Sequence, residues 1–191
     1  EFLPCLNSSL ENKDWINLLS KLFDTSNLIL KRSLPEKLTT IRLLGRLGKH
    51  SPISFLYHES ETRKNCIISC LINLLVEQLG FEQHVKIQWN SCVSLGFILE
   101  NDDIYSQEVI PTIEKAVIHL ANLTWNSTNY KLRIHAAHSL CCTSSVKCFG
   151  NSLETVISSI RLAAENSTIP SSEGNNTFHS QRKLQQTIQT D

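Results

Sequence analysis

Apolar residues recur at three- and four-residue spacing through most of the chain, which puts one face of an α-helix toward a core. The pattern predicts helices over residues 14–23 (DWINLLSKLF), 36–48 (EKLTTIRLLGRLG), 64–79 (KNCIISCLINLLVEQL) and 86–99 (KIQWNSCVSLGFIL). It predicts three more over 107–123 (QEVIPTIEKAVIHLANL), 130–142 (YKLRIHAAHSLCC) and 152–165 (SLETVISSIRLAAE). No strand-type alternation competes with them. The segments between, at 80–84, 101–106, 125–129 and 148–151, are short and polar, as connections between antiparallel helix neighbours are. Asp102 or Ser106 is expected to cap one helix, and Asn151 or Ser152 another, by accepting from free amides of the first turn. Pro111 belongs in the first turns of its helix, where a missing N–H costs little.

Two of these helices are similar to each other. Laying Lys86 on Lys131, a shift of 45 residues, aligns KIQWNSCVSLGF with KLRIHAAHSLCC. Lys, Ser and Leu then recur at 86/131, 94/139 and 95/140, and the small Ser91 and Cys92 meet Ala136 and Ala137. The preceding helices fall roughly in step at the same shift. An earlier copy is suggested by IRLLGRLG at 41–48, whose Leu44-Gly45 resembles Leu95-Gly96. A two-helix unit repeating at about 40 to 47 residues is the period of HEAT and armadillo arrays. The expected fold class is therefore all-α, an α-α superhelix of HEAT- or armadillo-like antiparallel helix pairs. Residues 1–167 read as a partial array of about three to four repeats. Residues 168–178 read as a polar loop or disordered segment, and 179–191 as the start of a further helix.

The helix over 86–99 is apolar or small on more than one side, so it needs cover from its own partner and from adjoining repeats. In that setting Trp89 is a packing residue that fills the seam between layers, and Ser91, Ser94 and Gly96 allow close backbone approach. The second-helix pattern K-[IVL]-[RQ]-x-x-[AS]-[AC]-x-[AS]-L-G is similar to the HEAT consensus. More narrowly, KIQWNSCVSLGFILEN followed by NYKLRIHAAHSL resembles the C-terminal HEAT-repeat region of the HEAT repeat-containing protein 6 family, over most of residues 34–165. Gln88 stands where that pattern usually has arginine, and Cys141 falls near a glycine-like position. The resemblance implies a large intracellular helical-repeat protein with no enzymatic activity to carry over.

Charge narrows the picture further. Eighteen cationic and eighteen acidic residues leave no net field to attract nucleic acid or an anionic membrane surface. The longest apolar runs are interrupted by polar residues and fall short of the roughly 20 residues a membrane span needs. Seven cysteines, mostly inside apolar helical runs, read as buried free thiols and point to a reducing, intracellular compartment, cytoplasmic or nuclear. Five N-x-S/T sequons, at Asn7, Asn122, Asn126, Asn166 and Asn175, are what a chain rich in Asn, Ser and Thr generates by chance. The chain starts at Glu1 and contains no methionine, which suggests a piece of a longer protein; Glu1-Phe2 is also what the cloning-site hexanucleotide GAATTC encodes.

Candidate chemistry is sparse. His135, His138 and Cys142 share one helix face and are zinc-ligand types, but the sequence supplies no fourth ligand, so no metal and no cofactor are expected. Cys66 and Cys70, one turn apart, read as core, and the Glu59, Glu61 and His58 group in YHESETRK reads as a solvated loop. There is no Gly-rich phosphate loop, H-E-x-x-H or G-x-S-x-G motif, and no catalytic residue is assigned. The expected function is a non-enzymatic scaffold holding an unidentified protein partner along the second helices, with Asn90, Phe97, Arg133, His135 and His138 as partner-binding candidates. A nuclear-transport or assembly-factor array is the first alternative, and a zinc- or thiol-dependent enzyme the second.

Overall fold

The computed structural model describes residues 21, 33–50, 67–80, 84–105, 107–143 and 146–168. Apart from Lys21, the helix expected over 14–23 lies outside these, as do the YHESETRK loop and the segment 179–191. The described residues are helical and include no strand. The helices are α1 (Leu34–His50), α2 (Ile67–Leu79), α3 (Val85–Leu99), α4 (Ile110–Asn126), α5 (Tyr130–Cys141) and α6 (Leu153–Thr168). Short 3-10 turns, Asp102–Ile104 and Val146–Ser152, precede α4 and α6.

The helix ends show local chemistry at work. Ser33 and Glu36 form a capping box: the Glu36 carboxylate accepts from the Ser33 amide at 3.0 Å and from its hydroxyl at 2.5 Å. This box starts α1 at Leu34, ahead of the expected residue 36. Asn129 caps α5, its Oδ1 accepting from the amides of Lys131 and Leu132 at 3.1 and 3.2 Å. Asp102 does not cap α4, and Ser106 lies outside the described residues. Gln107–Val109 form a turn instead, and α4 begins at Ile110 with Pro111 in its first turn and no side-chain cap. The helix then continues through Trp125 to Asn126, where a polar connection was expected. Gly150, at φ 44°, kinks the turn before α6 in the left-handed region that favours glycine. The Glu114 carboxylate of α4 accepts from the adjacent Asn151 amide at 3.0 Å.

Contacts sort the helices into two rows. α1 packs on α3 and α3 on α5; α2 packs on α4 and α4 on α6. The rows meet through α2 against α3 and α4 against α5. One apolar core runs between them, from Ile41 and Leu44 through Leu75, Leu95 and Ile113 to Leu140 and Val156. Its largest side chains, including Leu75, Leu95 and Leu120, are fully excluded from water. Each buried leucine side chain contributes about 1.5–3 kcal/mol relative to an exposed one.

The first row is held together by a joint that occurs twice. Ser94 of α3 donates its hydroxyl to the Ile41 carbonyl of α1 at 2.8 Å, and Ser139 of α5 donates to the Cys92 carbonyl of α3 at 2.7 Å. Each serine rests on a glycine one turn beyond its acceptor. A methyl group on Gly45 would approach Ser94 Cα to 2.6 Å, and one on Gly96 would approach Ser139 Cα to 3.1 Å. Laying Leu44-Gly45 on Leu95-Gly96, and Lys86 on Lys131, superposes donors, acceptors and glycines of the two joints. The sequence similarity is thus matched by a repeated contact.

Candidate functional site

α1, α3 and α5 present one continuous surface along their row. Arg42 Nε donates to Asn90 Oδ1 at 2.7 Å, the Arg46 guanidinium lies 4.6 Å over the Phe97 ring, and the Lys49 ammonium lies 5.5 Å over it. Lys49 also pairs with Glu100 at the end of α3. These contacts place the Arg42, Arg46 and Lys49 stripe of α1 beside the Lys86, Asn90, Val93 and Phe97 stripe of α3. On the other flank of α3, Trp89 meets His135 of α5 edge-to-face at 4.8 Å between ring centres. His135 shares its face with Lys131 and His138 by helical spacing.

The six residues singled out from sequence have separate fates here. Asn90 is buried and satisfied: it accepts from Arg42 and donates its amide to the Lys86 carbonyl at 2.6 Å. It therefore serves the α1–α3 joint. Phe97 is half-buried beneath two cations, and Trp89 packs against the core, as the sequence suggested. Arg133 is half-buried, and its covered Nε finds no acceptor among the described residues; the Trp89 indole N–H is in the same position. The residue aligned with Arg133 in α3 is Gln88, whose amide does find one, the Leu79 carbonyl at the end of α2, at 2.8 Å.

His135 and His138 diverge despite sharing a helix face. Burial, then the neighbouring His138 and Lys131, hold the His135 imidazole below its ordinary pKa of 6.5, while its ring is engaged by Trp89. His138 is exposed, with Nδ1 3.6 Å from Cys142 Sγ. Two groups in contact and a third turned to an indole do not make a tetrahedral ligand set. Among the described residues, no three His, Cys, Asp or Glu side chains gather to hold an ion. The Cys92 thiol is pushed well above its ordinary pKa by complete burial, which makes it a poor nucleophile. Thr124, the hydroxyl residue of the Asn122 sequon, is 1% exposed and donates to the Ala121 carbonyl at 2.6 Å, so folded α4 offers that sequon poorly to a transferase.

The zero net charge conceals a separation. With their caps, α1, α3 and α5 carry Lys37, Arg42, Arg46 and Lys49, then Lys86, then Lys131 and Arg133, against only Glu36 and Glu100. The second row carries Glu77, Glu114, Glu154 and Glu165 against Lys115 and Arg161. Asp102 and Asp103 are exposed in the connection between α3 and α4. Sequence reasoning passed over this because it summed charge along the chain. Sorting alternate helices into their two types, which the internal similarity permits, would have exposed it.

No family model matches the chain, and neither does any curated protein or solved structure. No helix among the described residues is long and apolar enough to cross a membrane.

Proposed function

We propose that the chain is part of a HEAT-like α-α superhelix, related to the HEAT repeat-containing protein 6 family, that acts as a non-enzymatic intracellular scaffold for a protein partner. The observation that carries this reading is the joint made twice, Ser94 on Ile41 and Gly45, then Ser139 on Cys92 and Gly96. Equivalent contacts between successive second helices are what a repeat array requires, because each unit buries its apolar face only against its neighbours. The two rows of alternating helices support it as well. Such a row offers a broad surface with side chains from three helices, which suits recognition of a polypeptide.

The test is affinity capture from cell extract with the wild-type chain and two charge-matched variants, scored by quantitative mass spectrometry. Arg46→Glu with Lys86→Glu alters the first row; Lys115→Glu with Arg161→Glu alters the second. Partners lost by the first variant and kept by the second, with both retaining helical circular dichroism, are the expected result. A capture profile equally indifferent to both variants would count against a scaffold that works through this row.

A further inference from the structure

Resting on the scaffold reading, we infer that the face of α1, α3 and α5 takes an acidic polypeptide segment whose carboxylates are interspersed with apolar side chains. The observation that points there is how Arg42, Arg46, Lys49, Lys86 and Lys131 of this face are paired. Arg42 is held by the neutral Asn90 amide and Arg46 by the Phe97 ring, while Lys86 and Lys131 are exposed with no carboxylate partner among the described residues. Of these five, Lys49 is paired with an acid, Glu100. Hydrogen bonding to a neutral group and stacking on a ring orient a guanidinium without cancelling its charge. The face is thus both positive and held in place, and the complementary partner is negative.

Between the cations lie half-buried apolar groups, Trp89, Val93 and Phe97, each with part of its surface in water. Neighbouring helices stand about 8–10 Å apart, so three of them offer roughly 20 Å across. An extended chain rising about 3.3 Å per residue crosses that in about six residues, with room for alternating acidic and apolar contacts. Nucleic acid fits less well. Glu100 sits within the surface, and apolar groups separate the cations, whereas a phosphate backbone asks for an unbroken track of positive charge.

The experiment is fluorescence anisotropy of the full 191-residue chain with three labelled probes. They are a peptide alternating Glu and Asp with Leu and Phe, the same peptide with Lys at every acidic position, and an oligothymidylate. Saturable binding of the acidic peptide alone is expected, weakening with salt. Arg46→Glu with Lys131→Glu should weaken it by about tenfold or more, and the milder Arg46→Gln with Lys131→Gln by less. Lys115→Glu with Arg161→Glu, the same change in net charge on the second row, should leave it unchanged. Equal weakening by the two Glu pairs would overturn the inference, because net charge would then explain the binding. Tighter binding of oligothymidylate, or no saturable binding of the acidic peptide, would overturn it too. If cellular capture still depends on the first row in either case, the scaffold reading stands and only the acidic chemistry of its partner falls.

Discussion

The α1–α3 and α3–α5 seams use the same joint and surround it differently. Around Ser94 the first seam adds polar ties: Asn101 donates to the Gly48 carbonyl at 2.9 Å, Arg42 bonds Asn90, and Lys49 pairs with Glu100. Its helices also press hard enough that Gly45 and Gly48 both lack room for a methyl group. Around Ser139 the second seam has the edge-to-face Trp89–His135 contact, and it holds a covered indole N–H with no acceptor among the described residues. One joint therefore works in a tight polar setting and in a looser aromatic one. The shared part fixes register, and the surroundings set how much each seam contributes.

The largest test removes what both seams share. Leu95 of α3 is completely buried in the core that lies under each joint. Leu95→Ala should cost about 2–5 kcal/mol, read as a drop in the urea midpoint, and should loosen both seams together. Hydrogen exchange that slowed nowhere and quickened only in α1 or only in α5 would show that the seams do not share a core.

The glycines then separate the two. Alanine gains about 1 kcal/mol of helix propensity over glycine, which opposes any steric cost. At Gly45 the obstacle is Ser94 backbone at 2.6 Å, and overpacking of about 1–3 kcal/mol should win, so Gly45→Ala destabilises. At Gly96 the Ser139 hydroxyl, Cα and Cβ would stand at 3.0, 3.1 and 3.2 Å, so the neighbour must give by only tenths of an ångström, and Gly96→Ala should destabilise less than Gly45→Ala. Equal thermal shifts for the two variants would erase the distinction between tight and loose seams.

Smaller still is the effect expected at Trp89. Trp89→Phe gives up some packing and the indole N–H together; a covered donor without a partner costs about 1–3 kcal/mol, so the two changes offset and stability should move by less than about 1 kcal/mol. A fall comparable to that of Leu95→Ala would mean that the indole is better satisfied than its surroundings indicate.

Acid should reveal the least of the differences. The His135 imidazole, with its pKa held below 6.5 chiefly by burial, is neutral in the fold more readily than in the unfolded chain. The unfolded chain thus takes up more protons, and the stability from this group, complete above 6.5, declines as pH falls toward its depressed folded value. His50 and His119 are depressed in the same direction, also chiefly by burial. His135→Gln should flatten part of the decline in denaturation midpoint on acidification, leaving the part due to the other two. An unchanged pH profile would place the sensitivity away from the second seam.

Much of the helical framework was legible because apolar spacing is a property of neighbouring residues. Its edges were less so. The Ser33-Leu34-Pro35-Glu36 box was readable and would have moved the start of α1; nothing comparable marks α4, where Gln107 and Glu108 look helical and instead form a turn. At the candidate site, the small residues that admit close approach were visible, and so was the packing role of Trp89. By sequence Asn90 faces a partner as readily as a neighbour, since only the structure brings Arg42 to it. The same holds for Gln88, whose acceptor is a main-chain carbonyl that no sequence pattern advertises.

That main-chain character has a consequence for heredity. In both joints the donor is a serine, but the acceptor is a peptide carbonyl, belonging to isoleucine at 41 and cysteine at 92. Half of each bond is written in side chains; the other half is present whatever side chain occupies the position. Substitutions at the accepting residue can drift as long as they fill the space, while the serine and the nearby glycine cannot drift freely. Copies of such a unit can lose most of their visible likeness and still lock together, because the message that aligns them is two letters long.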